Sequence, residues 1–463
     1  MKRIDISKEE LELLKYFENI ESQTEQIQCG VLCKEDKFFY IKQENEEKLN
    51  SSYDINDMIK IELRNTIYKT EKGKIKFLSY VIRSADIRYN LFRIHEFGSS
   101  DLKGKGYYRL IIPCTSHTHN IPFFSTDDSY FCGVRKRHGC AFQCLDFDIL
   151  GFNFMISFYN NFIAVECVDE IDFDVFNKYA TTALISYGFI NGEVPMDKGY
   201  FFKYADEDTF KDGKFCEFKY SANMINSYKN STPLYYGNPQ ITSQAFKKMI
   251  ESMIISKDTN NYLFNNTILT MMLAHKIPKG INSACLYATA LESLTAFLQG
   301  ELKEKSSKEA VSCEDESQKE LVKEVFGKIS RLVEFKNQNN KNILDSKIGS
   351  LFDTNQDKLT GTFKLLNIKL SKNDERIIKK RNQLLHGGFK YKSDNLSKQV
   401  SENLYLNFQL NLLLNALVFK YIFGSNTEVK LRDISCYHPS TKDIKTVKEE
   451  HLKKESCRDY RVF

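Results

Sequence analysis

The feature that most constrains this chain is a change of periodicity near residue 236. Before it, apolar residues alternate with polar ones or gather in short runs, as strands require. After it, they recur at helical spacings of three and four. A chain of 463 residues has room for about two or three domains. The expected fold class is therefore α+β and multidomain. A β-rich N-terminal domain, sandwich or barrel-like, is expected over 1–235, and a helical connector over 236–280. An all-α helical bundle should follow over 281–425, and a charged tail over 426–463.

Within the first part, Ser7 can cap a short helix over 7–20 that carries Glu9 and Glu10 in its first turn. Strands are predicted over 28–32, 37–42, 75–83, 107–113, 142–150, 152–159, 162–168, 200–204 and 214–220. Leu145-Asp146-Phe147-Asp148-Ile149 alternates strictly, as a half-buried strand does, whereas Phe162-Ile163-Ala164-Val165 is apolar throughout and suits burial on both faces. Asn160-Asn161, Asn191-Gly192 and Asp212-Gly213 read as hairpin turns. The stretch 171–189 fits either pattern and is a candidate helix crossing the sheet.

Helices are predicted over 244–256, 260–275, 282–300, 316–336, 341–353, 356–370, 372–386 and 396–423. The charged, Ser-rich stretch 301–318 reads as a mobile loop, and 440–463 as a short solvated helix. The most membrane-like run, Leu404 to Phe423, contains Asn407, Gln409, Asn411, Asn415 and Lys420, which are costly in lipid, so no membrane is expected as a partner. Asn407, Asn411 and Asn415 form one stripe of a helix, expected to face water, or alternatively an active site or partner subunit. The opening Met1-Lys2-Arg3-Ile4-Asp5 leads into charge, so no secretory signal is expected. With no such signal, the 12 cysteines point to free thiols or metal ligands in a reducing cytosol, and the expected location is cytoplasmic. A formal charge of +5 permits nucleic-acid contact without requiring it.

The chemistry concentrates at Lys379-Lys380-Arg381-Asn382-Gln383-Leu384-Leu385-His386-Gly387-Gly388. Ile377, Ile378, Leu384 and Leu385 supply an apolar face, and the two glycines end the helix. His386 falls at the helix C-terminus, where the dipole favours the imidazolium. Arg381 and His386 lie about 140° apart on an ideal helix, a gap that the long Arg stem can close. A guanidinium, an amide and an imidazole with no carboxylate suit metal-free cleavage of RNA. His386 would serve as general acid/base, Arg381 would clamp the phosphate and Asn382 would orient the imidazole.

Arg381-Asn382-xxx-His386-Gly387 resembles the Arg-polar-xxx-His signature of HEPN-domain ribonucleases. Ala288-Thr289-Ala290-Leu291-Glu292-Ser293-Leu294 resembles the first long helix of that domain. The pairing is similar to the C-terminal HEPN domains of ApeA-like anti-phage proteins and covers roughly 280–425. The resemblance implies a bundle in which Glu292 points toward Arg381 and holds it. It also implies a homodimer whose two motifs share one composite active site, because one histidine cannot be base and acid at once. It further implies a toxic effector of antiviral defence, answering an unidentified phage or cellular trigger. No cofactor is expected for catalysis, and the products would be a 2′,3′-cyclic phosphate or 3′-phosphate and a 5′-OH. The alternative is a non-catalytic dimeric HEPN scaffold or an RNA- or partner-binding module.

Arg376, Lys379, Lys380 and Lys390, with Tyr391 as a stacking ring, form a candidate phosphate track beside the motif. Separately, seven of the chain's 20 Cys and His fall within 114–144. Cys114-x2-His117 and Cys140-x3-Cys144 have the spacing of ligand pairs, which makes a structural zinc site a second expectation. Its competitor is a strand core that buries the thiols. A zinc-dependent nucleic-acid binder is the third functional option. No GxxxxGK[ST], GxGxxG, GxSxG or HExxH pattern is present, so nucleotide hydrolysis and serine- or zinc-hydrolase chemistry have no support in the sequence.

Overall fold

The computed structural model describes residues 7–18, the segments 25–27, 30–35, 38–42, 67–70, 73–76, 87–88, 91–94 and 96–99, then 102–113, 123–125, 132–137, 140–159, 161–194, 198–222, 228–229, 232–235, 238–254, 261–306, 324, 325, 328, 355–385, 396–432 and 460–463. The chain is α+β and divides into two compact units, Met1–Thr232 with Gln240–Ile254, and Pro233–Pro239 with Ile255–Phe463.

The first unit is built on antiparallel sheets. Helix α1 (Lys8–Glu18) precedes β1 (Glu25–Ile27), β2 (Gly30–Glu35) and β3 (Phe38–Lys42), which join β6 (Ile87–Arg88) and β7 (Leu91–Ile94) in a five-stranded sheet of order β1-β2-β3-β7-β6. A hairpin, β4 (Ile67–Thr70) with β5 (Gly73–Lys76), stands apart from it; the expected strand over 75–83 lies outside the described residues after Lys76. The larger sheet has eight strands: β8 (Glu96–Gly98), β9 (Lys105–Pro113), β10 (Cys132–Arg137), β11 (Cys140–Ile149), β12 (Phe152–Phe158), β13 (Phe162–Asp172), β15 (Gly199–Tyr204) and β16 (Glu217–Ser221). Their order is β10-β11-β12-β13-β9-β15-β16-β8. A short ladder, β14 (Glu193–Val194) with β17 (Tyr228–Lys229), completes the strands of this unit among the described residues.

The large sheet has two ends and is therefore not a barrel, and helices, not a second sheet, cover the face whose packing can be followed. Helix α2 (Phe173–Asn191), capped by Asp172, lays Phe176 against Tyr108 and Phe154 at ring-centroid distances of 5.5 and 6.0 Å. Helix α4 (Ser243–Met253) sets Phe246 edge-on to Phe147 at 5.0 Å. The sandwich-or-barrel expectation gives way here because strand alternation reports only that a face is covered, not what covers it.

Alternation itself is reproduced: Leu145, Phe147 and Ile149 are buried while Asp146 and Asp148 are half-buried, and β13, central in the sheet, buries Ile163 through Cys167 without a break. Strands β12 and β13 pair antiparallel as the expected hairpin does, and Asn160 of its turn lies outside the described residues. The other two Gly turns are helix ends. Gly192 closes α2 at φ 85°, and Gly213 closes α3 (Glu207–Asp212), a helix absent from the sequence reading, at φ 69°. A left-handed residue serves a helix C-cap as well as a hairpin, so the dipeptide alone cannot separate them.

The second unit is helical: α5 (Asn261–Lys276), α6 (Ile281–Ser306), α7 (Asn355–Leu365), α8 (Lys372–Leu385) and α9 (Leu396–Phe423). It ends in a two-stranded ladder of β18 (Lys430–Arg432) and β19 (Tyr460–Val462). Phe264 of α5, Phe297 of α6 and Tyr421 of α9 meet at centroid distances of 5.0 to 5.7 Å. The connector expected over 236–280 is thus divided, α4 belonging to the first unit and α5 to the second. The loop expected from 301 is still α6 as far as Ser306, and β19 occupies the end of the segment expected to be helical. The helices expected over 316–336 and 341–353 lie outside the described residues, apart from 324, 325 and 328, which are helical.

Candidate functional site

Helix α8 begins at a capping box. The backbone N–H of Ser371 donates to Asp374 Oδ2 at 2.8 Å, and the N–H of Asp374 donates to Ser371 Oγ at 3.2 Å. Arg461 of β19 then grips the same carboxylate with both terminal nitrogens, Nη1 reaching Oδ1 at 2.8 Å. Further along, Asn373 Nδ2 donates to Tyr405 Oη of α9 at 2.8 Å, and Ile377, Ile378 and Leu384 are buried, as the apolar face predicts. The start and the inner face of α8 are therefore both anchored.

Arg381 lies on that inner face. Its Nη1 donates to Glu292 Oε1 of α6 at 2.8 Å, so the two charged residues named from the sequence, 89 positions apart, form an ion pair. Their exposures differ sharply: 3% for the Arg381 side chain and 48% for Glu292. Burial pulls Arg381 below the ordinary guanidinium value, and the Glu292 carboxylate opposes that shift. Cys285 Sγ, about two turns upstream on α6, lies 3.6 Å from the Leu384 carbonyl near the end of α8.

Of the other named residues, His386, Lys390 and Tyr391 lie outside the described residues, and Asn382 is described only as a residue of α8. Arg376 and Lys379 are exposed, but at 100° per residue they stand about 140° and 160° around the helix from Arg381. Lys380, about 100° away, is 4.0 Å from Glu402. Helical rotation thus turns Arg376 and Lys379 to the opposite side of α8 from Arg381, and Lys390 and Tyr391, the rest of the expected phosphate track, lie outside the described residues.

The zinc spacing meets a similar correction. Cys140 and Cys144 both lie in β11. At roughly 3.3 Å per residue they are about 13 Å apart, too far for two sulfurs to bind one zinc at about 2.3 Å. Cys144 is instead a buried thiol beside Met155. Cys114 and His117 lie outside the described residues, and no group of three or more His, Cys, Asp or Glu that could hold a metal occurs among the described ones.

The asparagine stripe of α9 does not face water. Asn407, Asn411 and Asn415 are buried. Asn407 Nδ2 donates to the Gly280 carbonyl at 2.6 Å and its Oδ1 accepts from Ser283, which ties the start of α6 to α9. Nearby, Tyr287 Oη is 3.0 Å from His275 Nδ1. Burial, and secondarily Lys279, push His275 down to about 3, and burial pushes Lys279 down to about 8.

The sequence reading also missed a buried charge network in the first unit. Arg109 Nη1 donates to Glu10 Oε1 and Oε2 at 2.7 and 2.6 Å, Arg109 Nε meets Glu166 Oε1 at 2.7 Å, and Tyr204 Oη donates to Glu10. The available signal was weak: Arg109 and Glu166 each interrupting an apolar run within a strand.

Fold and site together define an α+β protein whose helical unit carries a buried arginine paired with a half-exposed glutamate. No protein family, curated protein or solved structure matches the chain.

Proposed function

We propose that the chain is a metal-independent endoribonuclease of the HEPN type, acting as a toxic effector in bacterial defence against phage. The observation that carries this reading is the Arg381–Glu292 pair, which joins the helix resembling the first HEPN helix to the one bearing the Arg-Asn-xxx-His motif. An imidazole at His386 removes the 2′-OH proton, and the 2′-oxygen attacks the adjacent phosphorus. The P–O5′ bond breaks, and the departing 5′-oxygen takes a proton from the corresponding histidine of a second copy. Arg381 neutralises the crowded phosphorane once Glu292 yields its place to a phosphate oxygen, and Asn382 orients the imidazole. The product ends are a 2′,3′-cyclic phosphate and a 5′-OH. A homodimer supplies the second histidine, and the β-rich first unit senses the trigger.

The burial of Arg381 favours a second reading, a non-catalytic scaffold in which the pair is only a helix–helix clasp. Growth and RNA integrity in cells expressing the chain or His386→Ala separate the two. The nuclease reading expects growth arrest and cut RNA from the first alone, with cleavage surviving EDTA in vitro. Equal effects from both chains would leave the scaffold.

A further inference from the structure

A short excursion of the chain is lodged in the second unit. Pro233–Pro239 belongs to that unit, while Thr232 and Gln240 on either side of it belong to the first, so the covalent chain ties the excursion to the first unit at both ends. It occupies one edge of β18. The Arg432 N–H donates to the Pro233 carbonyl at 2.9 Å, and the Tyr235 N–H donates to the Lys430 carbonyl at 3.0 Å. Asn238 adds two side-chain bonds, its Nδ2 donating to the Lys430 carbonyl and its Oδ1 accepting from the Lys430 N–H, both at 2.6 Å. The other edge of β18 carries β19. Leu234 pairs with Leu431, and Leu431 with Arg461, so the three stand in one row across three strands, on one face. Leu234 and Leu431 are fully buried.

The row ends on α8. Arg461 holds Asp374 with both terminal nitrogens, and the Asp374 side chain is fully buried. Arg381 follows Asp374 by about two turns, within about 20° of rotation, so both lie on one stripe of the helix. That stripe is pinned at both ends by ion pairs, Arg461–Asp374 at its start and Arg381–Glu292 about 10 Å further on. A helix displaced at one pin is strained at the other. A ladder of three residues a strand opens at less cost than the core, so it is the element that yields first. We propose that the Leu234–Leu431–Arg461 row couples the first unit to the Arg381 site. With the excursion seated, Arg381 stays in the grip of Glu292. When the first unit draws the excursion out, Arg461 lets go of Asp374, and α8 frees Arg381 to meet a phosphate. That this coupling switches RNA cleavage rests on the ribonuclease reading.

Hydrogen exchange of the full chain, read by mass spectrometry without RNA, tests the coupling itself. Asn238→Ala removes two bonds to β18 and lies outside α8. It should speed exchange of the α8 amides over 375–385 about tenfold, the effect of two lost hydrogen bonds, while the amides of α5 keep their rate. Arg461→Met should speed the same α8 amides, and in that background Asn238→Ala should add nothing to them, because the link is already cut. If Asn238→Ala speeds exchange in β18 but leaves α8 at the wild-type rate, the row transmits nothing and the proposal fails. It fails equally if the two effects on α8 multiply. Should Arg461→Met not fold, Arg461→Lys, which keeps the charge and loses the two-pronged grip, takes its place. Because no RNA is present, a chain without nuclease activity can still show the coupling, and loss of the coupling leaves the nuclease reading standing.

Discussion

The unequal exposure of Arg381 and Glu292 makes a sharp prediction about which of them the fold can spare. Arg381→Met keeps the buried stem in a core-compatible shape and leaves behind a carboxylate that is already 48% exposed and can hydrate. Its cost should fall in the range of an exposed pair, about 0–1 kcal/mol. Glu292→Ala instead withdraws the acceptor from a guanidinium only 3% exposed. That cost should be about 1–3 kcal/mol, the penalty for depriving a buried donor of its charged acceptor. Urea unfolding followed by far-UV circular dichroism reads both as shifts in midpoint at constant slope. The double variant should be closer to Arg381→Met than to the sum of the two, because the buried charge is gone. If Arg381→Met proves the more damaging single change by about 1 kcal/mol or more, exposure does not govern the pair and the reasoning fails.

Three further substitutions test the helical unit. His275 is held neutral, at about 3 against an ordinary 6.5, so the unfolded chain binds the proton first: stability should fall as pH drops from 6.5 toward 3, and His275→Gln should flatten that slope. Lys279, at about 8 against 10.5, is likewise less readily protonated when folded, so the same relation makes stability rise as pH climbs from about 8, a gain that Lys279→Met should abolish. Asn407→Ala strips partners from the Ser283 hydroxyl and the Gly280 carbonyl. It should cost about 1–3 kcal/mol in thermal or urea unfolding, and a neutral result would show that the seam is not bonded as described.

Local order was largely legible in the sequence. Helix α9 spans the expected 396–423, α8 ends within a residue of expectation, and β11 to β13 alternate or stay apolar as read. These features follow from periods of 3.6 and 2, which each segment carries by itself. The Arg381–Glu292 contact came instead from resemblance, since nothing local joins residues 89 positions apart. What only the tertiary structure decided is which face meets which. The Asn407 stripe turned inward because Gly280 and Ser283 offered partners, and Arg381 was buried against α6 because Glu292 met it there. Glu10, read from the sequence only as a first-turn acid, became the key of a buried network, because Arg109 waits on a strand about 100 residues away. A side chain's period is a property of its own segment. Its partner is set by long-range packing, where one hydrogen bond or ion pair can overrule an average preference.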